Sequence, residues 1–169
     1  MLFFLTTINC LEYFIKDYYT DRFLTSEEKG NQSPYFSKKA RPDLFDVNES
    51  QLGNNKGVIK ALSAKPTSFN SIKNPETEKK GLDSSFSVLT VGPSKKTVIY
   101  YPFYDGLEQF MYLKKADSVN KFKIMHEDSC IGYNENVFVF ELVDCAGPNV
   151  SYFSLIPPQD YVKPDSADG

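Results

Sequence analysis

The chain has 169 residues, 41% of them hydrophobic, with 19 Lys and Arg against 22 Asp and Glu. That length builds one buried core and is short for two, so a single domain over 1–169 is expected. The formal charge of −3 provides no general field for nucleic-acid phosphates.

Residues 1–8, Met-Leu-Phe-Phe-Leu-Thr-Thr-Ile, are apolar, but no Lys or Arg precedes them and no small-x-small cleavage pattern follows. The segment resembles a clipped signal core. It is too short to span a bilayer, which takes about 20 apolar residues, because Glu12, Lys16 and Asp17 interrupt. Leu11, Phe14, Ile15, Tyr18 and Tyr19 recur at helical spacing while Glu12, Lys16, Asp17 and Asp21 fall on other faces. This predicts an amphipathic helix over 9–24, opened by an Asn9/Glu12 capping pair.

Residues 25–84 are rich in Ser, Asn, Lys, Gly and Pro, and a structureless stretch of that length is unusual inside a compact domain. Pro42, Leu44, Phe45, Val47 and Gly53 predict a short helix over 42–52. After the Asn-Asn-Lys-Gly turn at 54–57, a strand is expected over 58–64. The stretch 63–83, with Pro66, Pro75 and the Lys79-Lys80 doublet, reads as a surface loop.

Six segments rich in Val, Ile, Phe and Tyr then follow, at 85–91, 96–104, 108–115, 121–126, 136–143 and 151–156, each bounded by Gly, Pro, Asn or Asp. Consecutive strands with short polar connections predict an antiparallel up-and-down meander over 85–158, with 159–169 as a tail. The fold class is therefore α+β, mainly β: six to seven strands forming a barrel or strongly curved sheet, with the amino-terminal helix packed on it. In the run from Lys121 to His126, Phe122, Ile124 and His126 share the inner face. Between 95 and 123 six Lys stand against three acids, and between 127 and 168 eight acids stand against Lys163 alone. That predicts cross-strand charge complementarity, with an acidic patch for a cationic partner as the alternative.

His126 is the only histidine, so imidazole chemistry must pass through it. A hydrolase built on His126 with Cys130 or Glu141 lacks an evident third orienting group, and a structural His126 is the stronger expectation. Neither Cys-x-x-Cys nor His-Glu-x-x-His occurs, and no glycine-rich phosphate loop exists, so no catalytic residue, cofactor or metal is assigned. With a hairpin turn at 133–136, Cys130 falls opposite about Phe140, which argues against a direct bridge to Cys145. Cys10 could reach either one, and three reduced thiols are equally open. Asn31-Gln-Ser, Asn48-Glu-Ser and Asn149-Val-Ser fit the glycosylation acceptor pattern. Secretion is the expected location, with the cytoplasm as the alternative.

The meander with a helix near its start resembles the general plan of lipocalin-like barrels, although the Gly-x-Trp signature of that family is absent from a chain without Trp. The resemblance implies a non-enzymatic protein holding a small apolar ligand inside the barrel. Phe86, Val88, Tyr100 and Phe110 are its expected lining on the early strands. Tyr112, Phe122, Ile124 and His126 complete it. An open curved sheet similar to NTF2-like domains implies instead a dimerisation or protein-interaction module, using loops 63–83 and 92–96 or the acidic carboxyl end. Neither layout implies nucleic acid or a membrane span, and neither fixes an oligomeric state.

Overall fold

A computed structural model describes residues 10–26, 33–53, 55–63 and 83–163. Twelve strands are formed among them. They are β1 (Cys10–Asp17), β2 (Phe23–Thr25), β3 (Tyr35–Ser37), β4 (Leu44–Asn48), β5 (Lys60–Ala61) and β6 (Asp83–Val91), followed by β7 (Thr97–Phe103), β8 (Tyr112–Lys115), β9 (Phe122–His126), β10 (Ser129–Asn134), β11 (Val139–Asp144) and β12 (Phe153–Ile156). Among the described residues helix is confined to one turn, α1 (Glu49–Leu52), and two short 3-10 turns.

Nine strands pair in the order β12-β9-β10-β11-β7-β6-β5-β4-β1, and the ring closes where β1 pairs antiparallel with β12. A shorter circuit runs inside it. β1 pairs with β4, β4 with β5, β8 with β9 and β9 with β12, while the Gly57–Met111 bridge joins the approaches to β5 and β8. The remaining strands form three hairpins, β2–β3, β6–β7 and β10–β11. The chain thus repeats a four-strand unit three times, with outer strands in the barrel and inner strands folded across its end.

The core follows this division. Ile15, Phe45, Val47, Ile59, Leu113, Ile124 and Phe153 come from the barrel strands and their approaches, and Leu24, Phe36, Leu89, Tyr100, Ile131 and Phe140 come from the hairpins. Burying one such side chain contributes about 1.5–3 kcal/mol. One buried polar pair sits among them, where the Tyr100 hydroxyl donates to Asp43 at 2.9 Å.

The expected helix over 9–24 is instead β1 and β2; Asn9 lies outside the described residues. Leu11, Phe14 and Ile15 satisfy helical spacing, but Ile15 and Asp17 are buried on one face of a strand, and partners in β4 and β12 complete its ladder. Short aromatic and β-branched runs are ambiguous by periodicity alone, and tertiary pairing decides. The helix over 42–52 is strand β4 running into the single turn α1, and the expected strand over 58–64 shortens to β5. The strand count of six to seven is too low, in part because β10 reads as a turn. Gly132 lies mid-strand, where a side chain would collide with the Asn149 carbonyl oxygen crossing over it. Pairing also departs from a meander, since β7 joins β11 and β12 joins β9 and β1. Most of the 63–83 loop lies outside the described residues.

The β10 register also corrects the cysteines. Cys130 stands opposite Val143, three residues later than expected, and is disulfide-bonded to Cys145 at a Cα separation of 4.9 Å.

Candidate functional site

The residues expected to line an interior site occupy three separate settings. Val88, Tyr100 and Ile124 are fully packed within the fold. Phe122 is half-buried against the core, while Phe86 stacks on Phe103 and carries the Lys60 ammonium over its ring. Phe110, Tyr112 and His126 gather near the start of β8, where His126 Nδ1 lies 3.0 Å from the Phe110 carbonyl oxygen. The void between the barrel and the hairpins measures about 10 Å³, bordered by Leu24, Leu89, Val98, Ile131 and Phe140 among others. A single water needs about that much room, so this void is too small for an apolar ligand. With its sulfur bonded to Cys145, Cys130 has no thiolate to pair with His126.

The open space lies outside. A cleft of about 520 Å³ is bordered by Lys56, Tyr112, Lys114, Glu127 and Asp128. Three devices set its walls. Gly57 and Met111 exchange two backbone hydrogen bonds of 2.8 Å, which anchors Lys56 beside β8. The buried Gln51 donates through Nε2 to the Met111 carbonyl at 3.2 Å, and a side chain at Gly57 would strike this glutamine. Across the cleft, the Tyr112 hydroxyl donates to the Glu127 carbonyl at 2.9 Å and stands its ring against the turn.

That turn is two residues long, because His126 pairs with Ser129 and leaves only Glu127 and Asp128 between them. Such turns need left-handed backbone, and Glu127 adopts it at φ 51°. A glycine or asparagine would sit there more easily. Lys114 faces Lys123 across β8 and β9, both of them from the basic stretch 95–123. Lys123 turns away to the Cys145 carbonyl at 3.0 Å and the Tyr152 ring, which leaves Lys114 at the cleft. Lys56, Lys114, Glu127 and Asp128 form no ion pair with another described residue.

Two further surface features are distinct from the cleft. Lys121 Nζ sits 4.4 Å from the Tyr152 ring centre, 5.1 Å from Tyr18 and 5.3 Å from Tyr19, with Asp117 at 2.9 Å. The hydrogen bond to Asp117 is the main cause that holds this ammonium protonated beyond the ordinary lysine range. At the β10–β11 turn, Val137 and Phe138 are 56% and 51% exposed, and Phe138 has φ 54°. No group of three or more His, Cys, Asp or Glu that could hold a metal occurs among the described residues. Among the described residues no helix is long and apolar enough to cross a membrane.

Of the cleft residues the sequence reading named Tyr112 as lining. Glu127 and Asp128 stand out in the sequence as acids next to His126, and Lys114 as one of the six Lys between 95 and 123, but nothing local marks Lys56.

No protein family and no curated protein matches the chain. Solved structures share its fold. A designed three-fold symmetric protein, ThreeFoil, superposes with a TM-score of 0.55 at 12% identity, over 86% of this chain and 97% of its own. Type II water-soluble Chl-binding proteins superpose at 0.53 and 12% identity, over 89% and 92%. The water-soluble chlorophyll protein of Brassica oleracea var. Botrytis, with chlorophyll b, superposes at 0.51 and 10% identity, over 89% and 92%. The threefold match agrees with the repeated four-strand unit, and the fold resembles that of chlorophyll-binding proteins.

Proposed function

We propose that this chain is a non-enzymatic binding protein that takes a small ligand in the outer cleft, with the barrel as its rigid frame. One observation carries the reading: four charged side chains without ion partners among the described residues border one opening beside the Tyr112 ring. Two cations, two anions and a ring suit a small molecule with a flat ring and both an acidic and a basic group. The left-handed Glu127 supports a site here, since strain of roughly 1–2 kcal/mol at a non-glycine residue is retained where function needs the side chain. The chlorophyll-binding neighbours support a ligand-carrying role for the fold. The Cys130–Cys145 bridge supports a secreted location, because such bonds persist in oxidising compartments.

Calorimetric titration with free tryptophan, a zwitterion with a flat ring, tests the reading. Binding is expected to the native chain and to be lost in Tyr112→Ala and Lys114→Glu. A fluorescent fatty-acid probe is expected to find no interior site. Tryptophan-insensitive wild type, or binding that survives both substitutions, overturns the proposal. A second reading, a protein partner met at the β10–β11 turn, is favoured by the exposed Val137 and Phe138.

A further inference from the structure

We infer that Asn149 is the acceptor of an N-linked glycan. Three segments of the chain carry the Asn-x-Ser pattern, and the structure separates them. Asn31 lies outside the described residues. Asn48 is half-buried at the end of β4, paired with Cys10 of β1, and its backbone N–H donates to Gln51 Oε1 at 2.9 Å. A glycan there would have to leave from a paired strand position beside a buried glutamine.

Asn149 stands in the connection between β11 and β12, with its side chain exposed. The local backbone explains why it stays outward. Its carbonyl oxygen rests on Gly132, and the Ser151 N–H donates to the Ile131 carbonyl at 3.1 Å. Ser151 Oγ in turn accepts from the Tyr133 N–H at 2.9 Å. These contacts use the backbone of the acceptor segment and the serine hydroxyl, and leave the Asn149 amide outside. Because the folded chain engages that hydroxyl, modification must precede closure of β10 under the segment. Cys145, four residues earlier, is oxidised, and the compartment that forms such bonds is also where N-glycans are added. The inference rests on the oxidising-location reading and is independent of the cleft ligand.

The transfer joins the Asn149 side-chain nitrogen to the anomeric carbon of an oligosaccharide carried on a lipid pyrophosphate. The bond from that carbon to the pyrophosphate breaks, one amide proton is released, and the lipid pyrophosphate leaves. To test it, the full chain behind a secretion leader is expressed in a eukaryotic secretory line, and the combined secreted and cell-associated protein is weighed intact. One glycan-sized increment is expected, removable by a glycan amidase that leaves aspartate at 149. Asn149→Gln should abolish it while keeping the disulfide. Asn48→Gln and Ser151→Thr should retain it, the latter keeping both the acceptor rule and the oxygen that Tyr133 meets. An oxidised chain of unmodified mass overturns the glycan and leaves the location reading standing. A reduced, unmodified chain overturns both, and an increment lost in Asn48→Gln but kept in Asn149→Gln overturns the site.

Discussion

The barrel interior and the outer cleft lie on either side of the same two strands, yet they are built to opposite rules. Inside, Leu113 and Ile124 stand opposite each other on β8 and β9, fully buried, and the space around them is filled. Outside, Tyr112, Lys114 and the Glu127-Asp128 turn leave charge facing an opening of about 520 Å³. On β8 one alternation therefore divides packing from presentation: Leu113 packs, while Tyr112 and Lys114 on either side of it face the cleft. Substitutions on the two faces should separate accordingly.

The largest effect is expected from Phe45→Ala, which empties a fully buried site beside Tyr100. A loss of about 3–5 kcal/mol in urea denaturation is expected, with cleft binding unchanged in whatever fraction stays folded. A loss under 1 kcal/mol would show that the interior is looser than its packing indicates. Opening the disulfide comes next. Cys130 and Cys145 are 15 residues apart, and in the chain-entropy account the double serine variant loses about 3 kcal/mol. Thermal melts with and without reductant measure it, and coincident melts would remove the bridge from the stability of β10 and β11.

Alkaline titration sharpens the contrast from the buried side. Burial first, and then the Asp43 charge and hydrogen bond, push the Tyr100 hydroxyl well above the ordinary tyrosine value of 10.0. Unfolding lets it ionise at that ordinary value, so stability is full below pH 10 and falls as pH rises beyond it. Tyr100→Phe should flatten that decline in urea midpoints; an unchanged slope would assign it to other groups. The smallest stability change is expected at the cleft. Glu127→Gly relaxes a left-handed residue, which offsets its loss and adds at most about 1 kcal/mol, while tryptophan binding weakens. A variant that is both destabilised and fully competent to bind would break the division between the two faces.

What the sequence made visible follows the same line. The strands between 85 and 158 announce themselves because Gly, Pro, Asn and Asp interrupt runs of β-branched and aromatic residues. β1 did not, because its identity is decided by β4 and by β12, the latter more than a hundred residues away, whereas its own Leu11, Phe14 and Ile15 suit a helix as well. β10 was hidden by Gly132, whose missing side chain serves the Asn149 crossing instead of a turn. Of the cleft, Tyr112 was legible as an aromatic on a strand. The meeting of Lys56 with Lys114 was not, because it is made only through the Gly57–Met111 bridge.

The seam between β1 and β12 also governs how another molecule can approach. Once those strands knit together, the ring has no free border, and among the described residues the strands paired with one other strand alone are β3, three residues long, and β8, four. Among the described residues a visiting peptide therefore finds no lengthy rail of unsatisfied amides and carbonyls onto which it can be added as an extra strand. Whatever docks here must be discriminated by the shape and charge of side groups, one contact at a time.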